Sequence, residues 1–149
     1  MESKTLTGNI IYIARTRTTG GRDNGVSRSC DGYLDVKLAT PGSTRIGTSP
    51  EQLFAAGLSA SFESAIRHAA RQKEIELPAD VTIDTEVDLH LDDSGYFLSA
   101  CLNISISGVE RCIAQDLVDD AKVLCPYSKA TEGNIAVTYN VVGRDPFEW

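Results

Sequence analysis

Six stretches of the chain alternate apolar with polar residues or are rich in β-branched and aromatic residues. These patterns predict six β-strands. The predicted strands cover residues 8–18, 26–29, 33–38, 81–91, 96–107 and 135–142. The fourth and fifth are separated by Asp92-Asp93-Ser94-Gly95, a turn sequence that predicts a β-hairpin.

A long helix is predicted between the third and fourth strands, over residues 49–73. Ser49 suits the N-cap, Pro50 suits the first helical position, and Gln52 completes a capping box. The first five turns are apolar or small on nearly every side, which is typical of a helix inside a protein. One domain of this length can hardly surround such a helix. We therefore expect a second subunit to cover part of it, with Gly57, Ser59 and Ala60 allowing close approach.

A second helix is predicted over residues 109–124, where apolar residues recur at helical spacing and Pro126 then stops the helix. The predicted order is β-β-β-α-β-β-α-β, which belongs to the α+β class and not to a parallel α/β sheet. The 149 residues suffice for a hydrophobic core without disulfides or metal. We expect residues 1–149 to form a single domain.

Charge and composition exclude several classes of function. The net charge of −7 argues against nucleic-acid binding, which needs a basic face. No apolar stretch is long enough to predict a membrane span or a secretory signal, so we expect a cytoplasmic protein. There the cysteines Cys30, Cys101, Cys112 and Cys125 should be mostly reduced. No spacing of cysteine and histidine predicts a metal site.

Four residues are candidates for chemistry: Cys125, Arg22, Glu51 and Ser61. A buried cysteine is most often a small apolar residue, but Cys125 is held at the end of a helix by the Pro-Tyr-Ser that follows. Arg22 lies in a Gly-Gly-Arg-Asp turn, where it is either solvated or aimed at an anion. Glu51 either favours the helix dipole or pairs with Arg22.

Ser59 and Ser61 lie in a segment close to the G-x-S-x-G elbow of serine hydrolases. That elbow needs a strand before the serine and a helix after it, whereas these serines are predicted within a helix. Serine hydrolysis is therefore disfavoured. On local sequence alone, Ser61 is a small residue at a helix contact.

Three motifs together resemble the OsmC/Ohr family. They are TGGRD at 19–23, GTSPEQLFAAGLSASF at 47–62 and LCPYSKATEGNI at 124–135. The SPEQLFAAG and CPYS forms are similar to the organic hydroperoxide resistance (Ohr) branch. The resemblance implies an intertwined homodimer, with antiparallel sheets around a long buried central helix and active sites at the interface.

By position, the resemblance assigns a role to each of the four candidates. Arg22 and Glu51 match the pair that activates the thiolate, and Cys125 matches the resolving cysteine. Ser61 stands where the family has its peroxidatic cysteine. Either a deliberate substitution or a natural paralogue kept for binding would explain this serine, and the retained motifs favour the first.

The implied activity is reduction of fatty or aryl hydroperoxides, with lipoyl dithiols or lipoylated proteins as reductant and no bound cofactor. A thiolate takes up the peroxide oxygen as a sulfenic acid, and a second thiol condenses with it to a disulfide. Serine can do neither, so we expect this chain to be inactive as written. The alternative is a non-catalytic dimeric module that binds acyl or lipoyl groups. A purely structural dimer is a third hypothesis.

Helix geometry separates two of these residues. Ten residues of helix place Glu51 about 15 Å along the axis from Ser61. A site that uses both is more easily completed by a partner subunit, which again predicts a dimer.

Overall fold

A computed structural model of the chain describes residues 5–78 and 80–143. The chain divides into two compact units, Met1–Pro50 and Glu51–Trp149. The structure is mixed α+β, with two three-stranded sheets, so the predicted fold class is confirmed. That residues 1–149 form a single domain stays a prediction.

The first unit contains a small antiparallel sheet. Its strands are β1 (Thr16–Thr19), β2 (Val26–Ser29) and β3 (Asp35–Lys37), in the order β1-β2-β3. Between β1 and β2 the turn sequence forms a short helix, α1 (Gly21–Asn24). Gly20 and Gly21 both have positive φ angles, 77° and 66°, which explains why this turn uses two glycines.

The first predicted strand is too long. Residues 8–15 form no regular strand, because β1 begins at Thr16, where its pairing with β2 begins. Among residues 5–78 and 80–143, no strand pairs with the apolar residues that predicted this strand. Their side chains are largely exposed in the single chain: Ile10 79%, Ile11 97%, Tyr12 77% and Ile13 52%.

The long helix α2 (Pro50–Gln72) agrees with the predicted 49–73. Its fully buried residues are Leu58, Phe62, Ala65, Ile66, Ala69 and Ala70. Other small residues on the helix, including Ala56 and Ala60, are exposed in the single chain. The helix is thus buried along one face here, and burial on the remaining faces stays a prediction that depends on a second subunit.

The second sheet combines the predicted hairpin with the last strand. Strands β4 (Val81–Asp92) and β5 (Gly95–Ile106) pair antiparallel over twelve residues each. Strand β6 (Val137–Val141) pairs with β5 in parallel, so the expectation of purely antiparallel sheets is wrong. The chain reaches β6 from β5 through two helices, a crossover long enough to permit a parallel pair.

Helix α3 (Arg111–Leu124) begins two residues later than predicted and ends as predicted. A short helix that was not predicted, α4 (Pro126–Thr131), follows it directly. The buried faces of α2, β5 and α3 meet in one hydrophobic core, whose largest fully buried side chains include Phe62, Leu102 and Leu117. Cys125 belongs to this core and has no exposed surface.

Candidate functional site

Ser61 and Cys125 lie against each other in the second unit. The Ser61 Oγ is 3.4 Å from the Cys125 Sγ, within hydrogen-bonding distance for a sulfur atom, and either group can donate. Ser61 is half-buried, and Cys125 is completely buried. Two residues that are 64 positions apart in sequence are therefore in direct contact at the centre of the unit.

The junction of α3 and α4 fixes the Cys125 sulfur. The Cys125 backbone N–H donates to the Ala121 carbonyl at 2.8 Å and completes the last turn of α3. Its φ and ψ of −70° and 121° are extended, because the next residue, Pro126, disfavours helical geometry before it. Pro126 then begins α4, with Cys125 as its N-cap. The chain changes direction at the cysteine, and the thiol faces α2.

Glu51 and Arg22 occupy the positions that the sequence predicts for them. Glu51 lies in the first turn of α2, ten residues before Ser61 in an unbroken helix, so about 15 Å separates them along the axis. Arg22 lies in α1, in the first unit. The roles of Arg22 and Glu51 at a site with Ser61 and Cys125 remain predictions.

A tyrosine that the sequence reasoning missed borders the pair. The Tyr139 ring packs against Phe62, the neighbour of Ser61, with 4.9 Å between ring centroids and an angle of 35° between the ring planes. The Tyr139 hydroxyl shares a hydrogen bond of 2.7 Å with the Ser128 hydroxyl, in the same CPYS motif as Cys125. The Lys122 ammonium lies 4.9 Å from the centre of the Tyr139 ring. Tyr139 thus connects the α2 side of the site to the α4 side.

Burial governs the acidity of this tyrosine. Removal from water raises the pKa of Tyr139 above its ordinary value, and the hydrogen bond from Ser128 opposes the rise only in part. Cys125 also raises the pKa, because a thiolate near the ring would repel a phenolate. Tyr139 therefore stays a neutral hydrogen-bonding group at physiological pH.

Comparisons with known proteins identify the family of this chain. A family model described as OsmC-like protein matches residues 41–140. The organic hydroperoxide resistance protein of Xanthomonas axonopodis pv. citri (strain 306) is 43% identical over 133 residues, which cover 87% of this chain and 93% of that protein. The chain belongs to the OsmC-like protein family.

Solved structures of related proteins share the fold of this chain. The organic hydroperoxide resistance protein OhrB of Bacillus subtilis is 38% identical, with a TM-score of 0.83 over 89% of this chain and 100% of that one. An organic hydroperoxide resistance protein from Legionella pneumophila is 41% identical, with a TM-score of 0.83 over 89% of this chain and 98% of that one. The α+β fold of this OsmC-family chain is therefore shared with proteins of the Ohr group.

The small residues of α2 have partners within the OsmC-family chain itself. A Cβ added at Gly57 would lie 3.0 Å from the Tyr127 hydroxyl oxygen and 3.3 Å from two carbons of its ring. The Ser59 hydroxyl donates to the Ala55 carbonyl at 2.6 Å and also shares a hydrogen bond of 2.6 Å with the Thr85 hydroxyl. Gly57 thus allows Tyr127 of the CPYS motif to approach α2. The sequence predicts that Gly57, Ser59 and Ala60 also allow close approach of a second subunit, and this stays a prediction.

The remaining cysteines lie outside this site. Cys30 and Cys112 are exposed, and Cys101 is half-buried. Burial, reinforced by Glu86 and Asp88, raises the pKa of the Cys101 thiol. Among residues 5–78 and 80–143, no group of three or more histidine, cysteine or acidic residues could hold a metal ion. Within the same ranges, every helix is too short or too polar to cross a bilayer.

Proposed function

We propose that the chain has the architecture of a thiol-dependent peroxidase for organic hydroperoxides, with Ser61 in place of the reactive cysteine. The contact between Ser61 Oγ and Cys125 Sγ at 3.4 Å carries this proposal. A disulfide has an S–S distance of about 2.05 Å, so a sulfur at position 61 would need to move about 1.4 Å closer to bond with Cys125. Side-chain rotation supplies most of such a movement.

The chemistry follows from a cysteine at position 61. Its thiolate attacks the terminal oxygen of the hydroperoxide, the O–O bond breaks, and the leaving alkoxide takes a proton to become the alcohol. The sulfur, oxidised to a sulfenic acid, is then attacked by the Cys125 thiolate; the S–S bond forms, the S–O bond breaks, and the leaving hydroxide takes up a proton to become water. A lipoyl dithiol reduces the disulfide by two exchange steps and becomes oxidised itself.

Arg22 and Glu51 complete the proposed site. A guanidinium beside a thiol favours the thiolate, and a carboxylate can hold that guanidinium in place. The apolar stretch of α2 around position 61 would favour organic hydroperoxides over hydrogen peroxide. Serine at position 61 has no accessible anion, so the chain as it stands should turn over no hydroperoxide.

A homodimer is part of the proposal. Apolar side chains are exposed in both units of the single chain, at Ile10 and Ile11 in the first and at Leu91 and Tyr96 in the second. Exposed apolar surface of this extent is typical of a subunit interface. Light scattering coupled to size exclusion tests this point, and a stable monomer at micromolar concentration would contradict it.

The decisive assay compares the unaltered chain with Ser61→Cys. Consumption of tert-butyl hydroperoxide with dihydrolipoamide should appear only in the variant, and it should be lost again when Cys125→Ser is added. Ser59→Cys is the matched control, because it places a thiol on the same helix in contact with Thr85, away from Cys125. An inert Ser61→Cys variant that is correctly folded would rule out the peroxidase proposal.

The serine itself supports a second candidate, a module that binds acyl or lipoyl groups without turning them over. This function needs the same apolar surroundings but no thiolate. Calorimetric titration of the unaltered chain with lipoamide and with a medium-chain fatty acid tests it. Binding of either ligand supports this candidate, and no heat from both at millimolar concentration would count against it.

A further inference from the structure

Three arginines and a cysteine share one face of the first sheet. Arg17 lies directly opposite Arg28 in the antiparallel pair of β1 and β2. The Cys30 N–H donates to the Arg15 carbonyl at 3.2 Å and extends the same register by one pair. Directly opposite residues point to the same side of a sheet, as do alternate residues along a strand. One groove is therefore lined by Arg15, Arg17, Arg28 and Cys30. We call it the arginine groove.

The arginine groove has the size of a small-molecule site. Its volume is about 620 Å³, and no acidic side chain lines it. Pockets for small ligands in proteins commonly measure about 300 to 1,000 Å³. Val26 adds an apolar wall beside the guanidinium groups. The groove is built entirely from the first unit, so it is a different feature from the pair formed by Ser61 and Cys125.

Sheet stability does not explain this arrangement of charge. Like charges directly opposite each other destabilise a strand pair, as Arg17 and Arg28 do here. Arg28 has one carboxylate partner, since its Nε lies 2.9 Å from an Asp35 oxygen, but both side chains are more than half exposed. Such surface pairs contribute little. Within residues 5–78 and 80–143, Arg15 and Arg17 make no ion pair.

Basic residues outnumber acidic residues in the first unit, whereas acidic residues outnumber basic residues in the second. The first unit carries seven lysines and arginines against four acidic residues. The second unit carries seven lysines and arginines against seventeen acidic residues. A chain with a net charge of −7 thus gathers three guanidinium groups in one cavity. Local positive potential of this kind raises the local concentration of anions.

We propose that the arginine groove binds small molecules that carry two or more carboxylate or phosphate groups. A guanidinium forms paired hydrogen bonds with either group. Alternate residues of a strand are about 6.6 to 6.8 Å apart, so Arg15 and Arg17 suit two anionic groups at about that separation. Arg28 stands across from Arg17 and can share the second group. A ligand with one charge engages only part of this set.

The reactivity of the exposed Cys30 thiol reports whether the arginine groove is occupied. The full-length protein is treated with an anionic and with a cationic methanethiosulfonate reagent, and labelling of each cysteine is followed by peptide mass spectrometry. Cys112 is the internal control, because it is equally exposed but has the Glu110 carboxylate 3.8 Å from its sulfur. At low ionic strength the ratio of anionic to cationic labelling should be about tenfold higher at Cys30 than at Cys112.

Ligand protection then tests binding itself. Citrate carries carboxylates and pyrophosphate carries phosphates, so the two probes distinguish the sources of negative charge. Either probe at millimolar concentration should slow labelling of Cys30 by a neutral reagent several-fold and leave Cys112 unchanged. Acetate at matched ionic strength should protect neither cysteine. Protection by both probes supports the shared chemistry, and protection by one assigns the group.

Variants complete the test. Arg15→Gln combined with Arg17→Gln should remove both the charge preference and the protection at Cys30, whereas Arg71→Gln, an exposed arginine in the last turn of α2, should change neither. The labelling ratio of the unaltered chain should also fall as sodium chloride is added, a result that needs no variant to fold. Equal ratios at Cys30 and Cys112, with no protection by citrate or pyrophosphate, would overturn the proposal.

Discussion

The Ser61 hydroxyl and the Cys125 thiol are in contact, and the cysteine is the more deeply buried of the two. Ser61 keeps some exposed surface, whereas Cys125 has none. In the proposed reaction, the peroxide must react with a sulfur at position 61 before Cys125 takes part. The arrangement protects the second thiol from direct oxidation.

Burial of Cys125 predicts a ranking of cysteine reactivity. In the unaltered chain, iodoacetamide should modify the exposed Cys30 and Cys112 first and Cys125 last, because its sulfur has no exposed surface. Timed alkylation followed by peptide mass spectrometry gives the three rates. Mild urea should accelerate labelling of Cys125 selectively. Labelling of Cys125 as fast as Cys112 under native conditions would contradict the described packing.

Phe62 is the neighbour of Ser61 in the sequence and belongs to the hydrophobic core. It is fully buried and packs against Tyr139, so Phe62→Ala should lower the free energy of unfolding by about 3 to 5 kcal/mol. Urea denaturation followed by circular dichroism measures the loss. Phe97→Ala is the matched control: Phe97 is 44% exposed at the end of the hairpin, and its removal should cost much less. Equal losses in the two variants would contradict the assignment of Phe62 to the core.

The hydrogen bond between Tyr139 and Ser128 should contribute measurably to stability. Tyr139→Phe keeps the ring packed against Phe62 but leaves the buried Ser128 hydroxyl without this partner, so we expect a loss of about 1 to 2 kcal/mol. Tyr33→Phe removes a hydroxyl from a side chain that is 95% exposed and should be neutral. Chemical denaturation of both variants checks this, and a neutral Tyr139→Phe would refute it.

The raised pKa of Tyr139 predicts a pH dependence at alkaline pH. A tyrosine whose pKa is raised by folding binds its proton more tightly in the folded state. The resulting stability is fully present below the unfolded pKa, about 10, and is lost as pH rises through the folded value. Absorbance titration near 295 nm should show one tyrosine that ionises after the others, and Tyr139→Phe should remove that late phase. Five tyrosines ionising together would contradict the burial of Tyr139.

Local sequence signals predicted the elements that depend on local physics. The start of α2 follows from Ser49, Pro50 and Gln52, and the β4–β5 hairpin follows from its Asp-Asp-Ser-Gly turn. The overlong first strand shows the limit of such signals. Residues 8–15 have the composition of a strand, but a strand needs a partner, and the periodicity of one chain does not say where that partner lies.

Contacts between distant residues were harder to predict. The candidate pair of Ser61 and Cys125 came from the resemblance of motifs, because no periodicity connects positions 64 residues apart. Tyr139 was missed for the same reason, since its place in an alternating strand predicts burial but not the hydrogen bond to Ser128. The parallel pairing of β5 and β6 likewise depends on the path through α3 and α4, which composition does not determine.

The most direct measurement of the central claim is the product of one peroxide equivalent with the Ser61→Cys variant. After treatment with tert-butyl hydroperoxide, free thiols are blocked and the cysteine-containing peptides are mapped by mass spectrometry, with Ser59→Cys carried through as control. The account predicts a disulfide between position 61 and Cys125 in most molecules of the variant and none from position 59. A sulfinic acid at position 61 with Cys125 still a free thiol would contradict it.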